Sequence, residues 1–130
     1  AILSAIGLAT ALGLPREAIL ALAPKSTTAA VAMGISETVG GPPELTAVMV
    51  ILTGIIGAIL VTPLMNTLRI SDYAARGFAV GLTAHGIGTA RAFTVNPLAG
   101  TFAGIALVLN AILTALLVPT LLVWIDAVLG

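Results

Sequence analysis

Two short stretches hold most of what could do chemistry in this sequence: Lys25-Ser26-Thr27-Thr28 and His85-Gly86-Ile87-Gly88-Thr89-Ala90-Arg91. Each interrupts an apolar run. In the first, an ammonium and three hydroxyls precede a short apolar stretch, residues 29–35. Ser26 or Thr27 can cap that helix, and free helix amides, hydroxyls and a cation together suit an anion. In the second, Gly86 and Gly88 allow backbone conformations and a close ligand approach that larger residues forbid. His85 can exchange a proton near neutral pH. Arg91 can grip a carboxylate through two parallel bonds. Plainer readings stand beside these. Lys25 could snorkel to a lipid headgroup while its hydroxyls only cap, His85 could be satisfied by a neighbouring helix, and Arg91, close before a turn at Thr94, could sit at an interface.

The surrounding elements decide what such residues mean. Of 130 residues, 59% are hydrophobic and 8% charged, with no net charge, and the mean hydropathy is +1.21. Soluble domains carry about 25% charged residues, so this chain cannot build a soluble surface, and a bilayer is its natural solvent. The neutral balance, with one Trp and one Tyr, also argues against nucleic-acid binding. Cysteine is absent, which removes thiolate metal sites. No metal site, cofactor or catalytic motif is indicated: there is no HExxH, no Ser–His pairing in a familiar context and no carboxylate pair at membrane depth. An enzyme is not expected.

Residues 45–68 and 98–125 contain no charge and are each long enough to span. Residues 1–14 resemble the end of a truncated span. Pro24 and the 84–89 stretch break the segments between, so the expected fold is all-α: a polytopic membrane protein with four to five transmembrane helices, two of them discontinuous. Residues 38–44 and 94–97 are turns by their Gly, Pro and Asn content. Gly54, Gly57 and Ala58 suit close helix packing, including between copies in a homo-oligomer. Pro63 and Pro119 are expected to bend their helices, Asn66 and Asn110 to bond across helices, and Tyr73 and Trp124 to anchor at interfaces. Glu37, Glu44 and Asp126 are expected in water.

Shifting the chain by 56 residues superposes Pro63 on Pro119, Thr27 on Thr83 and Thr38-Val39 on Thr94-Val95. The order of elements matches too, which predicts a repeat of units 15–68 and 71–125 in one membrane domain. Broken segments at corresponding places in two repeats point to a transporter's binding site. Arg16, Arg69 and Arg76 lie at one set of loops, whereas residues 38–44 and 94–100 carry no basic residue, so the first set is expected to be cytoplasmic. The two units are parallel if each interrupted segment crosses and inverted if one is re-entrant. Both arrangements fit the sequence.

Residues 22–28 (Leu22-Ala23-Pro24-Lys25-Ser26-Thr27-Thr28), Ala75-Arg76-Gly77 and Ala84-His85-Gly86-Ile87-Gly88-Thr89-Ala90 resemble the LrgB/CidB family of bacterial membrane proteins. Thr53-Gly54-Ile55-Ile56-Gly57-Ala58 and Leu68-Arg69-Ile70 carry the same likeness, which covers nearly the whole chain and corresponds to the C-terminal half of a family member. The resemblance implies a bacterial inner-membrane protein. Bacterial members are associated with control of murein hydrolase activity and lysis beside a small holin-like partner, LrgA or CidA. Plastid relatives translocate glycolate and glycerate, and some bacterial pairs are linked to pyruvate uptake.

Together these readings predict a transporter of small monocarboxylates. The two interruptions would meet near mid-membrane, with Lys25 and Arg91 neutralising the carboxylate. Ser26, Thr27, Thr28 and Thr89 would donate hydrogen bonds, Gly86 and Gly88 would allow close approach, and His85 would carry a coupling proton. The alternative is a non-transporting or pore-type regulator of murein hydrolase activity that acts with its holin-like partner.

Overall fold

A computed structural model describes the backbone of residues 1–129 and the side chains of residues 1–123. Trp124 and Asp126 lie outside the described side chains. Six helices, and no strand, occur among the described residues: α1 (Ile2–Ala11), α2 (Arg16–Leu22), α3 (Ala29–Thr38), α4 (Pro43–Thr67), α5 (Tyr73–Val95) and α6 (Pro97–Leu129).

Local sequence accounts for where they start and stop. Pro43 opens α4, where its missing donor costs nothing, and Glu44 stands in the first turn beside the positive end of the helix dipole. Asp72 caps α5, its carboxylate accepting from the Ala74 and Ala75 amides at 2.7 and 3.2 Å. The Asn96 side-chain oxygen does the same for α6, accepting from Leu98 N at 2.8 Å. Gly40 at φ 74° ends α3. Arg69 ends α4 in the left-handed region at φ 56°, and the Ile70 amide donates back to the Met65 carbonyl at 3.0 Å. Pro63 and Pro119 lie inside helices that run on past them.

Two helices are long and apolar enough to cross a membrane, Pro43–Thr67 and α6 over Pro97–Val123. Only 17% and 28% of their most apolar windows are buried, so neither is the enclosed core helix of a soluble domain. Ile59 and Leu116 are 66% and 64% exposed. The four to five spans expected are not matched one for one. At 7 and 10 residues, α2 and α3 are too short for about 30 Å of hydrocarbon.

The chain also reverses at the interruptions, a course that the sequence left open beside a full crossing. Within α5 the backbone leaves helical values at Ala84 (φ −116°, ψ 15°) and His85 (φ 42°, ψ −137°). A Cβ placed on Gly88 would stand 2.8 Å from Val80 Cγ2 and 3.3 Å from its carbonyl oxygen. Tyr73 and Arg76 line one small cavity with Arg91 and Val95, although a straight helix would hold Tyr73 and Val95 roughly 33 Å apart. Residues 73–83 and 86–95 therefore lie side by side. The onward chain agrees. Gly77 abuts the backbone of Ala99 and Gly81 that of Ala103, so the first arm of α5 runs parallel to the start of α6.

The α2–α3 segment behaves alike. A Cβ on Gly41 would meet Leu20 Cβ at 3.0 Å and Ser36 Oγ at 2.6 Å, which brings the chain beyond α3 back beside α2. Thr46 Oγ1 lies 2.8 Å from Ser36 Oγ and fixes α3 to the first turns of α4. The basic-loop expectation changes accordingly. Arg16 sits at the end where α4 begins, while Arg69 and Arg76 follow its far end, roughly 37 Å away along a helix of that length.

The core is divided between the two ends. Ile6, Leu20, Ala23, Ile35, Val118 and Leu122 form one apolar cluster, and Val80, Ala84, Ala92, Ala99 and Ala103 form the other. Each reversal contributes to its own cluster, Ala23 to the first and Ala84 to the second, and meets the middle of a long helix.

Candidate functional site

The first reversal is a string of tight turns. The Lys25 amide donates to the Leu22 carbonyl at 3.2 Å and the Thr27 amide to the Pro24 carbonyl at 3.1 Å. Pro24 cannot donate, so the helix stops here. Thr28 takes the N-cap position of α3 with no side-chain capping bond. Ser26 and Thr27 are buried, while Lys25 and Thr28 are half-buried. Asn110 of α6 reaches in from far along the chain: its Nδ2 donates to the Ser26 carbonyl at 2.9 Å. That bond satisfies a backbone oxygen the broken helix leaves bare. The Thr27 hydroxyl is fully buried and has no hydrogen-bond partner.

The second reversal reaches outward instead. His85 Nε2 donates to the Val50 carbonyl of α4 at 2.7 Å, and because a carbonyl only accepts, this places a hydrogen on Nε2. The ring lies over Gly54, whose Cβ, if present, would stand 2.5 Å from His85 Cε1. Gly57 receives Ala84 in the same way, at 2.5 Å from its Cβ. The two glycines expected to serve helix packing thus form the seat for this tip. Thr89 Oγ1 donates to the His85 carbonyl at 2.8 Å, and Gly88 packs against Val80 of the first arm.

An open cleft of about 490 Å³ lies between the two reversals. Its wall includes Lys25 and Ser26 from the first, Thr83 from the arm leading to the second, Thr53 and Gly57 from α4, and Ser4 from α1. Lys25 Nζ approaches Ser26 Oγ at 3.4 Å, and no acidic side chain pairs with it among the described residues. The His85 ring is buried and committed to Val50, and it is not part of the cleft wall. The arrangement offers one ammonium and several hydroxyls between apolar helices, a setting that suits a small anion with hydroxyl or carbonyl groups.

Not every expected residue gathers here. Lys25, Ser26, Thr27 and Thr28 share the first reversal, and His85, Gly86, Gly88 and Thr89 the second. Arg91 stands apart. It is exposed, donates to Thr94 Oγ1 at 2.8 Å, and lines the separate small cavity with Arg76 and Tyr73. There the Arg76 guanidinium bonds the Asn66 side-chain oxygen at 2.6 Å and lies 5.9 Å from the Tyr73 ring centroid. Sequence reasoning missed Ser4, Thr53 and Thr83 as cleft residues. A lone hydroxyl within a helix has no local signature, although the 56-residue shift that pairs Thr83 with Thr27 was a pointer.

An all-helical chain with two membrane-length apolar helices and a cationic cleft between backbone reversals defines a class of membrane proteins. Within it, the profile of the LrgB-like family matches residues 1–124, and the chain belongs to that family. It is 39% identical over 94% of its length to "Uncharacterized protein YwbG" of Bacillus subtilis, covering 54% of that relative. It is 35% identical over 86% of its length to "Holin-like protein CidB" of Staphylococcus aureus, covering 49% of it. An uncharacterised Haemophilus influenzae protein is 37% identical over 92% of the chain. The chain thus spans about half the length of the curated relatives it matches. No solved structure matches it.

Proposed function

We propose that this chain forms the binding region of an inner-membrane carrier for small monocarboxylates of the glycolate, glycerate or pyruvate type. The observation that carries this is the unpaired Lys25 ammonium, held among hydroxyls on the wall of a cleft between apolar helices. A cation at membrane depth is costly and calls for a partner. A carboxylate that enters the cleft supplies one and is itself paid for by the same charge. Ser26, Thr53 and Thr83 stand where they can bond a 2-hydroxy or 2-oxo group. Thr27 offers a buried hydroxyl with nothing else to bond, and Thr28 and Thr89 flank the two reversals. In this reading the reversals are the paired interruptions of a repeat within the membrane, Gly86 and Gly88 let the second tip pack closely, and His85 carries the coupling proton on the nitrogen not bound to Val50. Arg91 takes a role at the membrane surface instead of on the carboxylate.

The test is uptake of labelled glycolate, glycerate and pyruvate by liposomes containing the protein that carries this chain. Saturable uptake that Lys25→Met abolishes supports the reading, whereas uptake indifferent to Lys25→Met removes the site from it. The name "Holin-like protein CidB" on a relative favours a second reading, a regulator of murein hydrolase activity and lysis with a small LrgA/CidA-like membrane partner. That reading expects dye leakage without substrate selectivity, dependent on the partner.

A further inference from the structure

The carrier reading says what the cleft binds; the contacts around it say how the membrane encloses it. We infer that the two reversals are tips of helical hairpins that enter the bilayer from opposite faces, making residues 15–68 and 71–125 an inverted repeat with one hairpin closing each side of the Lys25 cleft. This rests on the membrane reading above but not on the identity of any substrate.

Four observations converge. First, each pair of arms is folded back on itself: Leu20 lies beside Gly41, and Val80 beside Gly88. A segment that returns to its own side leaves each unit with a single crossing, α4 or α6, and a unit with one crossing must be followed by its inverse. Second, each long helix starts against its own hairpin. Gly41, just before α4, packs on Leu20 of α2, and Ala99 at the start of α6 packs on Gly77 of α5. Those are corresponding places, within two residues, under the 56-residue shift.

Third, each long helix ends against the other unit's hairpin. Val118 and Leu122 of α6 join Leu20 and Ile35 of α2 and α3, while Val61, Thr62 and Met65 of α4 join Tyr73, Arg76 and Ala92 of α5. Position 118 corresponds to position 62. Fourth, each tip meets the middle of the other unit's long helix at equivalent positions. The second tip sits on Gly54 of α4, and Asn110 of α6, which corresponds to position 54, holds the first tip through the Ser26 carbonyl. Any two-fold makes contacts reciprocal, but here each long helix ends where the other begins: the end of α6 lies with Leu20 beside the start of α4, and the end of α4 lies with Ala99 at the start of α6. Parallel copies would place both starts at one end, so the units point in opposite directions.

The physical consequence lies in the enclosure of the cleft. Non-helical backbone survives at membrane depth only where protein or water covers it. Here each tip is covered by the opposite unit's long helix, and the cleft between them faces one hairpin toward each bulk phase. Inverted repeats with broken segments at their interface are the arrangement in which alternate opening of two sides comes from one architecture.

The sequence contains no cysteine, so the topology can be read by single-cysteine labelling with a membrane-impermeant thiol reagent, in the protein that carries this chain with any other cysteines removed. Glu17→Cys and Glu44→Cys are expected to label from one face of the membrane, and Ser71→Cys and Asn96→Cys both from the other. Opposite-face labelling of Glu17→Cys and Glu44→Cys overturns the inference, as does opposite-face labelling of Ser71→Cys and Asn96→Cys. A second measurement is independent of membrane orientation. Spin labels on Tyr73→Cys and Val95→Cys are expected well inside the roughly 33 Å of a continuous helix, and a separation near that value overturns the hairpin. Neither readout involves transport, so a failed uptake assay and a failed topology remain separable.

Discussion

The two reversals solve one problem in different ways. At residues 23–28 the chain spends six residues on tight turns around Pro24, and its exposed backbone is satisfied from outside by Asn110. At 84–85 two residues suffice, one of them His85 at a positive φ, and that residue's own ring reaches out to α4. The first tip is held and keeps its cation free. The second tip does the holding and has its ring committed. On the carrier reading proposed above, the two reversals divide the labour: Lys25 is available for a ligand, and His85 positions its tip against α4.

Substitutions can break this contrast. The largest effect is expected at the seat of the second tip, where Gly54→Leu drives a side chain into the His85 ring and Ile87. Overpacking of this kind costs about 3 kcal/mol, seen as lost folded protein in detergent-solubilised thermal melts. Gly34→Ala, on α3 with open space around it, should melt like the parent. Next, Lys25→Met should weaken carboxylate binding by about 100-fold or more, while the melting temperature holds or rises, because a half-buried charge with no acidic partner is removed. The measurement is ligand-dependent thermal stabilisation across a panel of small acids.

The second tip should show the reverse pattern. His85→Ala is expected to lower stability by about 2 kcal/mol by freeing the Val50 carbonyl and emptying the seat. His85→Asn, which keeps a donor and tolerates a positive φ, should lose less. A melt in which Lys25→Met destabilises more than His85→Ala would erase the contrast. The smallest shift is expected at Thr27→Val, nearly the same shape without the orphaned hydroxyl. Its stability should stay within about 1 kcal/mol of the parent or rise, and a concurrent loss of stabilisation by small acids would assign the hydroxyl to the ligand.

Much was legible from residue order. Pro24 marked one break and the 84–89 stretch the other, which the structure narrows to Ala84 and His85, and the turns around Pro42-Pro43 and Asn96-Pro97 lie where their residues place them. Asn66 and Asn110 both bond across helices, as their polarity in apolar runs implied. The site was legible only in part. Lys25 and Ser26 stand out because a charge in an apolar run is anomalous, whereas Thr53 and Thr83 become cleft residues only through the face they present. Arg91 looked like a partner for Lys25 because both are cations beside interruptions, yet the fold-back carries it to the end of the bundle beside Arg76.

Composition alone determined that this chain is helical and suited to lipid, since ten charges cannot cover a soluble surface and an apolar solvent requires backbone bonds to close within each segment. Pro, Gly and the polar clusters determined where helices stop. Whether the chain beyond each stop runs onward or turns back is not written in those residues. It depends on two or three dihedrals, among them the locally disfavoured positive φ of His85, and long-range contacts hold the outcome: Gly77 on Ala99, Gly81 on Ala103 and Leu20 beside Gly41. Those contacts form between segments distant in the chain, so tertiary packing decided which charges face the cleft and which face the outside.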